Sequence, residues 1–294
     1  LQKNFSDTNV LHDHPAIMAA IKHIEELTEK KEKILVFGTY KLPLLALDDL
    51  LNARDLVRSF QKKASLPLET IPQGLVEAVS IALTQLGVKA DIAAVNSWLK
   101  EQYAALSQQR KTFQEKLVER LERHLLADSS DRVKMIFTAM KNDDKAPEQG
   151  FSSHVLVARA LEEMLGDWAQ ASPLEIAQAF TDLVEHVCTS DEGDTNHDGK
   201  LDANEAHDLW QVIADRLRQD YSSPRGSFSR MLYGQTAHAS RRTAQLAFNR
   251  SNSRLRVLVA QSMVGREGLN LHKACRHVLL LHPEWNPGVV EQQI

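Results

Sequence analysis

The chain of 294 residues is 43% hydrophobic and 25% charged, with two cysteines and a formal net charge of −4. Those proportions suit a globular protein with one large or two modest cores that folds without covalent staples. No apolar run approaches a membrane span and the polar opening LQKNFSDTNV is no signal peptide, so the expected setting is soluble and cytoplasmic, with no membrane partner.

Cys188 and Cys275 lie far apart and neither begins a metal-ligand spacing, which points to a reducing compartment and no structural disulfide. The net acidity argues against a generally basic nucleic-acid protein but leaves room for local patches that bind phosphate.

In chain order, His14-Pro15 opens an amphipathic helix with Ile17, Met18, Ile21, Ile24 and Leu27 at helical spacing. After the charged break EKKEK comes a buried strand, Lys33 to Phe37, a Gly38-Thr39-Tyr40 turn and a helix around Leu44 to Leu51, which together make a βα unit. Residues 56 to 223 contain no convincing strand and read as an all-helical insertion. Within it, Ala90 to Leu126 is nearly continuous helix former with Phe113, Leu117, Leu121 and Leu125 on one core-facing stripe; Asp131 to Met140, Val155 to Leu165 and Leu174 to Val187 are further helices. Lys141 to Gly150 reads as a linker, and Trp98, Trp168 and Trp210 read as packing anchors.

Strand character returns at Phe228, followed by a Gly-Gln-Thr turn and a helix ending at Phe248-Asn249. Two apolar runs, Leu255 to Ala260 and His277 to Leu281, flank a glycine-bearing polar loop, as buried parallel strands joined by a ligand-binding crossover would. Such loops lie at the carboxyl ends of strands, where open α/β sheets bind ligands.

Taken together, the ordered motifs resemble the second RecA-like lobe of superfamily-two helicases, most closely the Swi/Snf-type branch. That family has a small hydroxyl residue, a Gly, an acidic residue, GLNL, a strand, WNP and a Gln; here these are Ser262, Gly265, Glu267, Gly268 to Leu271, Trp285-Asn286-Pro287 and Gln292. It also has a strand ending in Asp/Asn-Gly-x-Thr with an Arg and then Phe-Asn downstream; Gly234, Thr236, Arg241, Phe248 and Asn249 match, while Tyr233 departs from the Asp or Asn. The resemblance covers residues 12 to 55 and 225 to 294.

The resemblance implies an α/β fold, a RecA-like parallel sheet with flanking helices interrupted by a large all-helical insertion. The lobe would occupy 1–55 and 224–294, truncated before the end of motif VI, and the insertion 56–223. A translocating ATPase grips successive phosphates through loop amides and hydroxyls, without reading bases. Gly38, Thr39, Gly234, Gln235, Thr236, Arg241, Ser262 and Gly265 are the implied nucleic-acid contacts, and Glu267, Gly268, Asn270 and Gln292 the implied nucleotide contacts. The implied partners are DNA, with RNA as the other candidate, and an N-terminal RecA-like lobe with which ATP and Mg²⁺ are shared. The chain contains no GxxxxGK[ST] loop and no DExH-type pair, so alone it is not expected to hydrolyse ATP; the motif VI arginines are expected just past Ile294.

A second motif lies inside the insertion. Asp194 to Glu205, DTNHDGKLDANE, matches the calcium loop D-x-[DN]-x-[DN]-G-x₅-E. Asp194, Asn196, Asp198 and Glu205 would supply hard oxygen ligands, Lys200 its carbonyl, Asp202 a direct or water-bridged contact and Gly199 the turn. A helix with Ala206, Leu209, Trp210, Ile213 and Leu217 on one stripe leaves the loop, whereas polar residues from Thr189 to Gly193 interrupt the entering side. Calcium is the expected ion; the alternative is an Asp-rich cap and turn that binds none. His12, His14, His23 and His282 match no metal spacing. The rival to a motor lobe is a non-enzymatic, calcium-stabilised helical interaction module on a degenerate lobe, with a protein partner on the insertion.

Overall fold

Proline at the first helical position and His14 as N-cap start α1, Pro15–Glu29; the His14 Nδ1 accepts the Ala16 N–H at 3.2 Å. The computed structural model describes residues 11–143, 153–166, 168–188, 192–195, 200–221, 227–236, 238–262 and 274–282. Lys31, in the left-handed region with φ of 65°, turns the chain from α1 into β1, Ile34–Gly38, whose five residues are all buried. Helix α2, Lys41–Lys62, follows directly, then a 3₁₀ turn at Gln73–Leu75, α3 at Val76–Gln85 and the long α4, Ile92–Asp128. Next come α5, Asp131–Lys141; α6, Ser153–Leu165; α7, Pro173–Val187; and α8, Ala203–Tyr221. The chain closes with β2, Ser229–Leu232; α9, His238–Asn249; β3, Val257–Gln261; and β4, His277–Leu280.

The four strands form one all-parallel sheet in the order β2-β3-β1-β4. The fold is therefore the α/β class expected, a small parallel sheet with flanking helices and a large helical insertion between β1 and β2. Strand β1 lies between β3 and β4, so the two terminal strands do not touch each other but each pairs with the first. One expectation is corrected: β4 is not a buried strand. It occupies the sheet edge with Val278 38% exposed and its other residues half-buried, because only β1 flanks it among the described residues.

Contacts divide the chain into two compact units, the first made of residues 1–107, 224–236 and 254–294, the second of 108–223 and 237–253. In the first, Ile34, Val36, Met231, Val257 and Val259 on one sheet face share a core with Ile17, Ile21 and Ile24 of α1, Leu47 and Leu50 of α2, Val79 of α3 and Leu99 of α4. Two buried polar devices hold it. Arg54 of α2 makes a two-pronged pair with Glu25 of α1, at 2.7 and 3.0 Å, joined by Arg58 at 2.6 Å. Asn52 of α2 accepts the N–H groups of Phe228 and Ser229 and donates to the Ser229 carbonyl, fastening β2 to the helix.

The second unit is helical. Phe113, Leu117, Leu121 and Leu125 of α4 are buried there as the periodicity predicts, with Ile136, Phe137, Phe180, Leu183, Trp210 and Ile213. A reciprocal capping box, Ser172 with Glu175, starts α7. Helix α9 packs in this unit, against α6, α7 and α8, rather than in the sheet unit with the strands on either side of it. The sheet unit likewise takes in residues 56 to 107. The apolar faces of α3, early α4 and α9 find their partners irrespective of where strand pattern stops.

Candidate nucleic-acid interface

All four strands run the same way, so their carboxyl ends share one edge. The register puts Leu232, Ala260, Phe37 and Leu280 in one row across the sheet. The residues just beyond that row are the Gly38–Tyr40 turn, Ser262, the Tyr233–Thr236 turn and His282. Six of the expected nucleic-acid contacts, Gly38, Thr39, Gly234, Gln235, Thr236 and Ser262, are therefore brought together on this edge.

Each piece has its own local cause. The Thr236 N–H donates to the Tyr233 carbonyl at 2.8 Å and the Thr236 hydroxyl accepts the Tyr233 N–H at 3.0 Å, closing a tight turn. Lys41 holds its ammonium 4.2 Å above the Tyr233 ring, which gives the residue standing in place of Asp or Asn a role in pinning that turn to α2. A Cβ added at Gly234 would meet nothing within 4 Å, whereas one at Gly38 would come within 2.8 Å of Leu44. A side chain at 38 would thus have to displace the Leu44 side chain, while at 234 the absence of a side chain only leaves the backbone open to approach.

Gln261 donates from Nε2 to the Thr39 carbonyl at 3.2 Å, tying the end of β3 to the turn after β1. Ser262 beside it is 2% exposed, yet among the described residues its hydroxyl has no hydrogen-bond partner. On the other side of the turn, Tyr40 is 64% exposed and meets the His282 ring edge-on at 5.3 Å. Burial and the nearby His14 hold the His282 imidazole below its ordinary range.

The other expected site residues lie elsewhere. Arg241 is on α9 in the helical unit and is buried, 7% exposed. Gly265, Glu267, Gly268, Asn270 and Gln292, and Trp285 to Pro287, lie outside the described residues.

Of the calcium loop, Asp194, Lys200, Asp202 and Glu205 are described, while Asn196, Asp198 and Gly199 lie outside. Glu205, buried at the start of α8, accepts the Thr195 N–H and hydroxyl on Oε1 at 3.0 and 2.6 Å and the Asp202 N–H on Oε2 at 3.1 Å. Asp202 Oδ1 in turn accepts the N–H groups of Asn204 and Glu205, so Asp202 and Glu205 form a capping box that closes the loop on itself. Among the described residues no group of three His, Cys, Asp or Glu side chains could hold a metal. Arg216 grips the entering side through the Val187 carbonyl and Glu192, a contact invisible to sequence reading.

Burial pushes the Cys188 thiol up to about 11 and raises Cys275 as well, so neither is a thiolate nucleophile at neutral pH. A cleft of about 480 Å³ in the sheet unit is lined by His12, Asp49, Gln73, Gly74 and Glu77, and holds none of the expected site residues. Desolvation raises the Asp49 carboxyl there to about 6.

The fold and this edge define an α/β chain whose parallel sheet presents backbone turns and hydroxyls at its carboxyl end. Comparison with models of known families, with curated proteins and with solved structures finds no match.

Proposed function

We propose that the chain is the second motor lobe of an ATP-dependent nucleic-acid translocase of the Swi/Snf-type helicase class, gripping the backbone of DNA, or of RNA. The observation that carries this reading is the row at the sheet edge. Two turns nearly 200 residues apart in sequence, Gly38–Tyr40 and Tyr233–Thr236, lie with Ser262 on one edge there, and their groups are amides and hydroxyls, the donors that hold phosphate without reading bases. In this reading Glu267, Gly268, Asn270 and Gln292 contribute to an ATP and Mg²⁺ site completed by an N-terminal lobe that brings the phosphate-binding loop. ATP hydrolysis supplies the free energy for the two lobes to open and close.

The test has two arms. The chain itself should bind labelled DNA, and Thr236→Ala should weaken that binding; a protein that includes the N-terminal lobe should show DNA-stimulated ATP hydrolysis, reduced by Arg241→Ala. Absence of any nucleotide or DNA dependence would sink the motor reading. A scaffold module is the alternative favoured by the burial of Arg241 within the helical unit, since a buried guanidinium can serve structure alone.

For the loop at 194–205 we propose a calcium ion bound with Glu205 as the closing ligand, in competition with the capping box it makes with Thr195 and Asp202. Added calcium should raise the melting temperature of the helical unit and a chelator should reverse the rise. Equal melting temperatures with calcium and with chelator would leave only the cap.

A further inference from the structure

The cleft of about 480 Å³ in the sheet unit shares no lining residue with the sheet edge and takes no part in the nucleic-acid reading. Its walls come from five pieces of chain: Asp49 of α2, Gly74 of the 3₁₀ turn, Val76 and Glu77 of α3, Ile92 at the start of α4, and His12 ahead of α1. Gln85 of α3 donates from Nε2 to Asp13 Oδ1 at 3.0 Å, which holds the segment carrying His12 against α3; His12 itself is 1% exposed. A Cβ added at Gly74 would meet nothing within 4 Å, so the cleft is open on that side.

Helix α2 carries three acidic residues, and two of them are answered by other groups of the protein. Asp48 accepts the Ser229 hydroxyl on Oδ1 at 2.6 Å, and the burial of Asp55 is offset by the charges of Arg254, Arg58 and Lys62. Asp49 has neither kind of partner among the described residues, and desolvation raises its carboxyl to about 6 with no cation of the chain to offset it. A half-buried carboxylate without a countercharge costs stability, which a bound cation would restore. The second carboxylate of the cleft, Glu77, has the same sign, and no lysine or arginine lines the walls. Among the described residues no group of three His, Cys, Asp or Glu side chains could hold a metal, whereas Val76 and Ile92 offer apolar surface to a carbon chain. The volume falls within the range of small-molecule sites, about 300–1,000 Å³.

We propose that this cleft binds a small aliphatic amine, its ammonium group paired with Asp49 and its alkyl stem lying on Val76 and Ile92. The inference does not draw on the nucleic-acid reading. The other titratable groups lining the cleft are Glu77 on α3 and His12 ahead of α1. A bound ammonium favours the Asp49 carboxylate over its acid form. Binding therefore displaces a proton below pH 6, and affinity rises with pH through about 6 and then levels.

The test is calorimetric titration of the 294-residue chain with 1,4-diaminobutane, with uncharged 1,4-butanediol and with magnesium chloride, at constant ionic strength. Wild type should bind the diamine with a Kd on the order of 0.1–1 mM, and Asp49→Asn should bind it at least about ten-fold more weakly. The variant removes a charge that the fold leaves unanswered, so it should fold at least as well as wild type. Carbon NMR of the Asp49 carboxyl should show its titration midpoint falling when the diamine is added. Equal affinity of wild type and Asp49→Asn, butanediol bound as tightly as the diamine, or a midpoint that does not move overturns the proposal. Magnesium that moves the midpoint as far as the diamine does would replace the amine with an inorganic ion, and overturns it too.

Discussion

Glycine at position 234 is unexplained by packing, since an added methyl group meets open space and the backbone is outside the left-handed region. Gly234→Ala should therefore keep or slightly raise the melting temperature, by the lower chain entropy of the unfolded state. If the backbone there meets a phosphate, the same change should weaken DNA binding about five-fold, or ~1 kcal/mol, by interposing a methyl group. Equal affinities of the two proteins would remove Gly234 from the interface. A second single-residue effect concerns Asp49, whose carboxyl rises from 3.8 to about 6 by desolvation. The sign follows from linkage: the folded state binds the proton more tightly than the unfolded chain, so Asp49 favours folding at low pH and this contribution is lost as pH rises through about 6. Asp49→Asn should then be more stable than wild type in urea at pH 8 and gain little at pH 4.

Helix α2 is the element on which the sheet unit depends. It covers one sheet face with Leu47 and Leu50, pairs Arg54 with Glu25 of α1, and fastens the edge strand β2 through the buried Asn52. Asn52→Ala would strand the N–H groups of Phe228 and Ser229 and the Ser229 carbonyl, and should cost about 3 kcal/mol. Equilibrium denaturation would measure it, and a loss well under 1 kcal/mol would show that the strand is held by its pairing with β3 alone. None of this was legible in the sequence. An asparagine inside a helix reads as part of a solvated face, and its partners lie 176 and 177 residues away. What could be read was whatever repeats locally: the Phe113 to Leu125 stripe, the all-apolar run of β1, the Gly-Gln-Thr turn after β2. The half-exposed state of β4 could not, because HVLL has the composition of a buried strand and only the strand order puts it at an edge. Arg241 shows the same limit at the site. Its spacing from Gly234 fits the family motif, while the packing of α9 in the helical unit, which sets the surroundings of its side chain, depends on α6, α7 and α8.

At the level of the whole molecule, under the proposed reading a chain of net charge −4 would bind a polyanion through local geometry rather than through its overall field. The donors at the sheet edge are mostly uncharged, with Lys41 already over Tyr233. Neutral amides and hydroxyls release no counterions, so DNA affinity should depend only shallowly on salt, with a log–log slope of about −1 to −2. A much steeper slope in a salt titration would point to a basic surface other than this edge. The central position of β1 has a further consequence, for synthesis rather than for binding. Its residues leave the ribosome well before those of its neighbours, since the contact between Thr39 and Gln261 spans 222 residues. At roughly 5–20 residues per second, β1 waits tens of seconds for either neighbour while the helical segment that follows it can already condense. During that interval an apolar strand with two unsatisfied sides is exposed to other nascent chains, and the all-helical insertion, by folding first, shortens the distance over which its two flanking pieces must search.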